Sequence, residues 1–411
     1  MKRSKTFVET FFLWSLVLVL ITLTMPKYSL NSQAIIVCFV TWFFVGSFKQ
    51  KWELFKTRKW LFLITSSLFW ISLLGLLYTE NMEEGLKNFQ KALPFLIFPL
   101  VFSTIQFSEE KRNIVFQYFS IGVLISSAFA LAKAFYFKFN NLGDYFYYDS
   151  FALLLDKHTT YFALFTVIAV VFFLNEILKG KARNSFFHIC AILYLLVILY
   201  LLSARISIIA LMVGAVLLLL FNLEKLGIKK LVPIVIIILM LGIAYATPNF
   251  QERFYATTPE GVPISDLDTR AVHWKSALQL INNNNLIIGA GTGDGHTGLY
   301  EQYLENGFET GYINQYNAHN QFLESTLYYG VLGLLALVSI FLLGLIRSLK
   351  NRDVLAFSTI TIIAVFMCTE SLLERHSGIV FVSFIIALIL PLKTKKTEKM
   401  ELDENKLNDV L

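Results

Sequence analysis

Runs of about 20 apolar residues, the length a helix needs to cross hydrocarbon, follow one another along this chain almost without pause. Of its 411 residues, 56% are hydrophobic, 39 are Phe and only 16% are charged. A soluble fold has no interior large enough for that surface, so the chain is an integral membrane protein. The runs predict about twelve spans, at 9–25, 33–48, 60–78, 92–106, 114–137, 158–177, 186–202, 204–222, 230–247, 320–346, 354–371 and 376–392. The expected fold is all-α and polytopic, one transmembrane domain over residues 1–392 followed by a charged tail at 393–411. A single long polar segment, residues 248–318, separates spans nine and ten and runs into His319.

Lys and Arg favour the cytoplasmic side of a membrane. Basic residues cluster at 2–5, 49–59, 111–112, 179–183, 225–230, 347–352 and beyond 393, and twelve spans put all these segments on one face with both termini. That face is expected to be cytoplasmic and residues 248–318 external. The first span follows Met1-Lys2-Arg3-Ser4-Lys5 as a signal peptide would, but Leu23-Thr24-Met25-Pro26 offers no small-x-small cleavage site, so it reads as a retained anchor. The net charge of +6 then means attraction to anionic membrane lipids and no nucleic-acid surface. The long segment itself is acidic, with only Arg253, Arg270 and Lys275 as cations. Cys38, Cys190 and Cys368 all fall in predicted spans without metal or redox spacing.

The titratable residues gather at the external ends of helices, which suits an enzyme at the membrane surface better than a transporter with a midplane site. No repeat relates the two halves, and acidic residues inside the spans are scarce, so a carrier of lipid-linked oligosaccharides is the weaker alternative. Within the long segment, Asp266-Leu267-Asp268-Thr269 offers N-cap residues for a short amphipathic helix carrying Arg270, Trp274, Ala277, Leu278 and Ile281. Asn282 to Asn285 end it, and Gly289, Gly291, Gly293 and Gly295 follow at alternate positions, either as a hinge or as a rigid nest of backbone amides. The Asp266-x-Asp268 spacing also resembles a divalent-metal pair of nucleotide-sugar enzymes, but capping accounts for it on the external side.

His319 stands in Asn317-Ala318-His319-Asn320-Gln321-Phe322-Leu323-Glu324, where the external segment becomes a span. It can cap that helix, or it can take a proton near neutral pH. Arg205, in Ser203-Ala204-Arg205, is the whole polar break between two apolar runs. An Arg there faces a partner or cavity, or snorkels to the headgroups. Arg205 and Arg270 together suit a diphosphate. Arg375 lies near Glu370, Glu374 and His376 in the last external turn, where an ion pair is the first reading. Lys91 and His158 are further external candidates, and Tyr145 to Tyr148 form an aromatic belt or the roof of a site. No His pairs with another His or a Cys at zinc spacing, so no metal site is expected, and no serine hydrolase element occurs.

These residues carry a resemblance. Asp268-Thr269-Arg270 with Trp274, Ile288-Gly289-Ala290-Gly291, the Ala318-His319-Asn320 helix start with Glu324, and Tyr329-Gly330-Val331-Leu332-Gly333 resemble the O-antigen ligase and polymerase superfamily of bacterial envelope glycosyltransferases. The likeness is best over about 200–380, while the first 80 residues match in hydropathy alone. It implies a glycosyltransferase C-like membrane fold in the bacterial inner membrane, with 248–318 as an external, periplasmic catalytic loop. It further implies an undecaprenyl-diphosphate-linked glycan as donor, lipid A core or another glycan as acceptor, an inverting transfer, and no cofactor or metal. His319 would activate the acceptor hydroxyl, and Arg205 with Arg270 would hold the diphosphate. Lys91, His158, Tyr161, Trp274, Gly289, Gly291, Asn320, Glu324 and Arg375 would be possible substrate contacts. One dominant external loop favours the ligase branch, with polysaccharide polymerase as the alternative. His273 and His296 match no family role.

Overall fold

A computed structural model of the chain describes residues 2–180, 184–222, 242, 266–283 and 285–390. Among these residues every regular element is a helix and no strand occurs. In chain order they are α1 (Lys2–Thr24), α2 (Tyr28–Phe44), α3 (Phe48–Thr65), α4 (Ser67–Gly75), α5 (Met82–Ala92), α6 (Pro94–Ser103), α7 (Glu109–Phe139), α8 (Tyr148–Leu153), α9 (Thr159–Leu178), α10 (Ser185–Leu202) and α11 (Arg205–Leu220). After the gap come α12 (Asp266–Asn283), α13 (Gly295–Glu305), α14 (Glu309–Ile313), α15 (Gln321–Lys350), α16 (Val354–Met367), a 3-10 turn (Leu372–Glu374) and α17 (His376–Ile389).

The described residues contain five helices long and apolar enough to cross a membrane, in α1, α7, α9, α10 and α15, and a sixth if α2 and α3, bent by 108°, are one span. Helices α11, α16 and α17 are apolar but shorter. The expected twelve continuous spans are therefore a finer division than these helices support, and the ninth, 230–247, lies outside the described residues except for Gly242. Breaks explain part of the difference. The run 60–78 is cut at Ser66, where the Thr65 and Ser66 hydroxyls bond carbonyls one turn back at 2.8 and 2.7 Å. The run 92–106 shrinks to α6, 10 residues that start at Pro94, because proline favours the first turn and breaks what precedes it.

Two helices form the centre. In α9 every residue from Thr159 to Asn175 is buried, and in α17 every residue from Ser377 to Ile389, as expected of helices apolar on all sides. Phe119 of α7, Phe165 of α9 and Phe381 of α17 meet with ring centroids 4.8–5.8 Å apart. Inside a bilayer the gain from such contacts is close packing, because lipid is as apolar as the side chains.

The ends of the bundle differ in chemistry. At one end Arg112 is fully buried and paired with Asp353, Lys111 lies 3.6 Å from Glu9, and Arg58 donates to the carbonyls of Phe102 and Ile105 at 3.1 and 2.6 Å. The opposite end carries α5, α8, α12 to α14 and the 3-10 turn. The expected amphipathic helix is α12, which ends among the asparagines at Asn283; the side chains of Asp266 and Asp268, proposed as caps, lie outside the described residues.

Helix α15 is interrupted at Gly330 (φ 59°, ψ −155°), and the glycine-rich segment repairs the break. The freed carbonyls of Leu327 and Tyr328 accept from Ala290 and Gly291 N–H, each at 2.9 Å, while Val331 and Leu332 N–H donate to Leu286 and Ile287 at 2.8 and 3.3 Å. Gly289 and Gly330 sit backbone against backbone, so a Cβ on either would strike the other segment's main chain. Asp294 then anchors the segment to the turn between α4 and α5 by accepting from Thr79 Oγ1, Glu80 N and Asn81 N at 2.6–2.9 Å.

Candidate active site

Asn320 caps α15, accepting from Phe322 and Leu323 N–H at 2.9 and 3.2 Å, and His319 precedes it in a left-handed conformation (φ 46°). Such a backbone is uncommon outside glycine, with Asn, Asp and His adopting it more readily than other residues, and local bonds hold it. His319 N–H donates to Asn317 Oδ1 at 2.9 Å, and the Asn320 amide donates to Cys368 O at 3.2 Å. The capping role that His319 might have filled thus belongs to Asn320. The imidazole turns instead toward the turn after α16, where Nδ1 lies 3.4 Å from Glu370 Oε2. Arg270, from α12, reaches the other oxygen of the same carboxylate at 3.3 Å.

Glu370 is where the long-range parts of the site meet. Burial would raise its carboxyl, but the His319 contact and the nearby Arg270 and His158 outweigh burial and hold it below the ordinary range. A carboxylate so placed orients the imidazole and leaves the other ring nitrogen for an incoming group. The His319 side chain is 27% exposed, open enough to meet a substrate.

Two further histidines surround the pair. The His273 ring lies 4.9 Å from that of His319, and its Nδ1 is 2.8 Å from Tyr303 Oη, which donates to Asn317 O at 3.1 Å. Tyr303 has one proton to give, so His273 must donate to it through Nδ1. Burial, with His319 and Arg270 close by, lowers the His273 imidazole to about 4, so it is neutral at physiological pH. His158 caps α9, accepting from Thr160 N–H at 3.4 Å through Nδ1, and burial lowers it as well.

A second cluster adjoins the first through Glu324. Its Oε1 is paired with His296 Nε2, and Glu374 Oε2 lies 3.6 Å from the same nitrogen. The ligand atoms of His296, Glu324 and Glu374 all lie within 4.8 Å of one another, a donor set able to hold a divalent cation. A cavity of about 70 Å³, lined in part by Asn88, Lys91, Gln321, Tyr328 and Glu374, opens beside them. Burial favours neutral His296, but the Glu374 and Glu324 carboxylates prevail and hold it up at about 9. Burial pushes Glu374 up to about 7, with His296 opposing and Glu324 reinforcing the shift.

Because His296 is raised above its ordinary 6.5, its stabilisation is complete below about pH 6.5 and is lost as pH rises through about 9. Glu374 acts in the same direction over a lower window, between its ordinary 4.5 and about 7. Thermal unfolding of the purified protein is expected to occur at falling temperature from pH 6.5 to 9, an effect on the order of 3 kcal/mol. His296→Ala should flatten that part of the profile.

Lys91 Nζ donates to Asn88 Oδ1 at 2.8 Å beside the cavity. Tyr161 donates to Ser371 O at 3.2 Å and so supports the turn next to Glu370. Trp274 is on α12, one turn beyond Arg270, with its indole nitrogen buried. Arg205 opens α11, half-buried, after a left-handed Ser203 (φ 50°) that ends α10; the α9–α10 hairpin puts this position at the same end as His158. Arg375 is exposed, and among the described residues neither Glu370 nor Glu374 pairs with it: Glu370 takes Arg270 and His319, and Glu374 faces His296. Gly289 and Gly291 serve the backbone repair of α15. Sequence reasoning gave Glu370 no role with His319, and it missed the His296–Glu324–Glu374 group, whose members lie 28 and 50 positions apart with no local spacing to mark them.

Fold and site together define a multi-pass helical membrane protein with a cluster of histidines and carboxylates at one end of the bundle. Residues 190–338 match the family described as O-antigen ligase, in agreement with the resemblance carried by the motifs of that region. The match contains Arg205, Arg270, His296, His319 and Glu324, and it supports an enzyme of ligase or polymerase type in envelope polysaccharide assembly. No curated protein matches the chain.

Proposed function

We propose that the protein transfers a glycan from an undecaprenyl-diphosphate-linked donor to a hydroxyl of lipid A core on the periplasmic face of the bacterial inner membrane. The observation that carries this reading is the meeting of His319, Arg270 and Glu370 at the end of the bundle opposite the basic loops. About twelve crossings with both termini cytoplasmic would place that end outside, with residues 248–318 as the external catalytic segment of the transmembrane domain 1–392 and with 393–411 as a cytoplasmic tail.

In this reading the acceptor hydroxyl gives its proton to the free nitrogen of His319 as its oxygen attacks C1 of the donor sugar. The bond from C1 to the diphosphate oxygen breaks on the opposite side, inverting the anomeric centre. Undecaprenyl diphosphate departs with increasing negative charge, which Arg205 and the donors of Arg270 not engaged by Glu370 stabilise. Glu370 offsets the charge that forms on the imidazole. Lys91, His158, Tyr161, Trp274, Asn320 and Arg375 border the path of donor and acceptor, and no step needs a metal ion or cofactor. The family match admits polymerisation equally, in which case the acceptor is a second lipid-linked glycan.

The test uses the purified protein with undecaprenyl-diphosphate-linked glycan and lipid A core. Transfer is expected to proceed in the presence of a chelator and to fall about 100-fold or more in Arg205→Ala and Arg270→Ala. Loss of transfer on chelation would give the His296, Glu324 and Glu374 group a metal and contradict the metal-free step. Wild-type rates in both arginine variants would remove the diphosphate assignment.

A further inference from the structure

The reactive pair, His319 and Glu370, comes from segments 51 positions apart, neither of which is held in place by its own helix. His319 is left-handed and lies outside α15. Glu370 lies between the end of α16 and the 3-10 turn. Something must fix the distance between them, and one side chain contacts the immediate neighbour of each. Glu324 Oε2 accepts from Ala318 N–H, one residue before His319, and from Ser371 Oγ, one residue after Glu370, both at 2.9 Å.

We infer that Glu324 is a positioning residue for the transfer, tying the His319 and Glu370 segments through one carboxylate oxygen while His296 holds the other. This inference rests on the reading of His319 as the base. All three partners are settled: Ala318 and Ser371 are 0% and 2% exposed and Glu324 is 1% exposed, so water does not compete for the bonds. Gln321 adds a parallel tie, accepting from Leu373 N–H at 2.6 Å, but it contacts neither neighbour of the pair. His296 faces Glu324 from α15, Glu374 from the 3-10 turn and Lys91 from α5. Its positive charge is what permits a buried carboxylate at this position.

Glutamine keeps part of the tie, because its carbonyl oxygen can still accept from Ala318 N–H and Ser371 Oγ. A substrate-binding role for Glu324 would raise KM and would leave Ser371→Ala without effect.

The decisive comparison is steady-state transfer by purified wild type, His319→Ala, Glu324→Ala, Glu324→Gln and Ser371→Ala, with undecaprenyl-diphosphate-linked glycan and lipid A core. Glu324→Ala is expected to lower kcat about 100-fold, the scale of a displacement of about 1 Å at the reacting centre, with KM changed less than about threefold. Glu324→Gln, which keeps a carbonyl acceptor for Ala318 N–H and Ser371 Oγ, should recover part of the activity lost in Glu324→Ala. Ser371→Ala, which removes one tie and leaves the buried charge pair intact, should lower kcat about tenfold and covers the case in which Glu324→Ala does not fold. A wild-type kcat in Ser371→Ala, a rise in KM alone, or a glutamine variant no better than alanine would each overturn the inference. Full activity in His319→Ala would instead overturn the functional reading beneath it.

Discussion

His319→Ala is expected to reduce glycan transfer by about 100- to 10,000-fold, the range contributed by a positioned general base, while the protein reaches the membrane in normal amount. The separation of activity from folding follows from what the side chain touches. His319 meets Glu370 at 3.4 Å and the His273 ring, whereas its own backbone is fixed by Asn317 and the helix start is capped by Asn320. Removing the imidazole therefore takes away the proposed proton acceptor and leaves the cap in place. It also leaves Glu370 with Arg270 as partner, so the buried carboxylate is not stranded. Membrane levels measured by immunoblot together with transfer rates check both halves, and a variant that retains more than a tenth of wild-type activity would contradict the role.

Gly330→Ala is expected to act in the opposite way, by destabilising the fold. Its φ of 59° with ψ of −155° lies in a region open almost only to glycine, at a cost of about 1–3 kcal/mol for other residues. The added methyl would also collide with the backbone of Ile287 and Ile288, and overpacking of that kind costs typically about 1–3 kcal/mol. The two together predict a loss of about 3 kcal/mol or more, and with it the four backbone bonds that bridge the break in α15. Thermal unfolding in detergent should show a clear drop and the amount in the membrane should fall. An unchanged unfolding temperature would mean that the glycine-rich segment does not repair the helix.

The sequence was most legible where a signal is local. Hydropathy found the long helices α1, α7, α9, α10 and α15, and the polar break at Ser203 to Arg205 marked the start of α11. The same averaging over neighbours hides interruptions, so the breaks at Ser66 and Gly330 fall inside spans that read as continuous. Cap chemistry pointed to the start of α15 but not to which residue does the capping, because Asn317, His319 and Asn320 can all do so until the backbone is known. The alternate glycines were legible as places of close backbone approach, and their actual partner, a broken helix some 40 positions on, was not. The site divides likewise. His319 and Arg270 stand out by type and position, whereas Glu370 and the group around His296 are joined only by the packing of α12, α13, α15 and the turn after α16.

The central claim is tested most directly by electrophoresis of envelope lipopolysaccharide from a deletion strain carrying the wild type, His319→Ala or Arg205→Ala, each verified in the membrane. The account predicts that wild type restores long glycan on lipid A core, and that both variants lose it while full-length chains accumulate on the carrier lipid. Transfer of single repeat units to the core would make the protein a polymerase. Long glycan on the core in both variants would contradict the account.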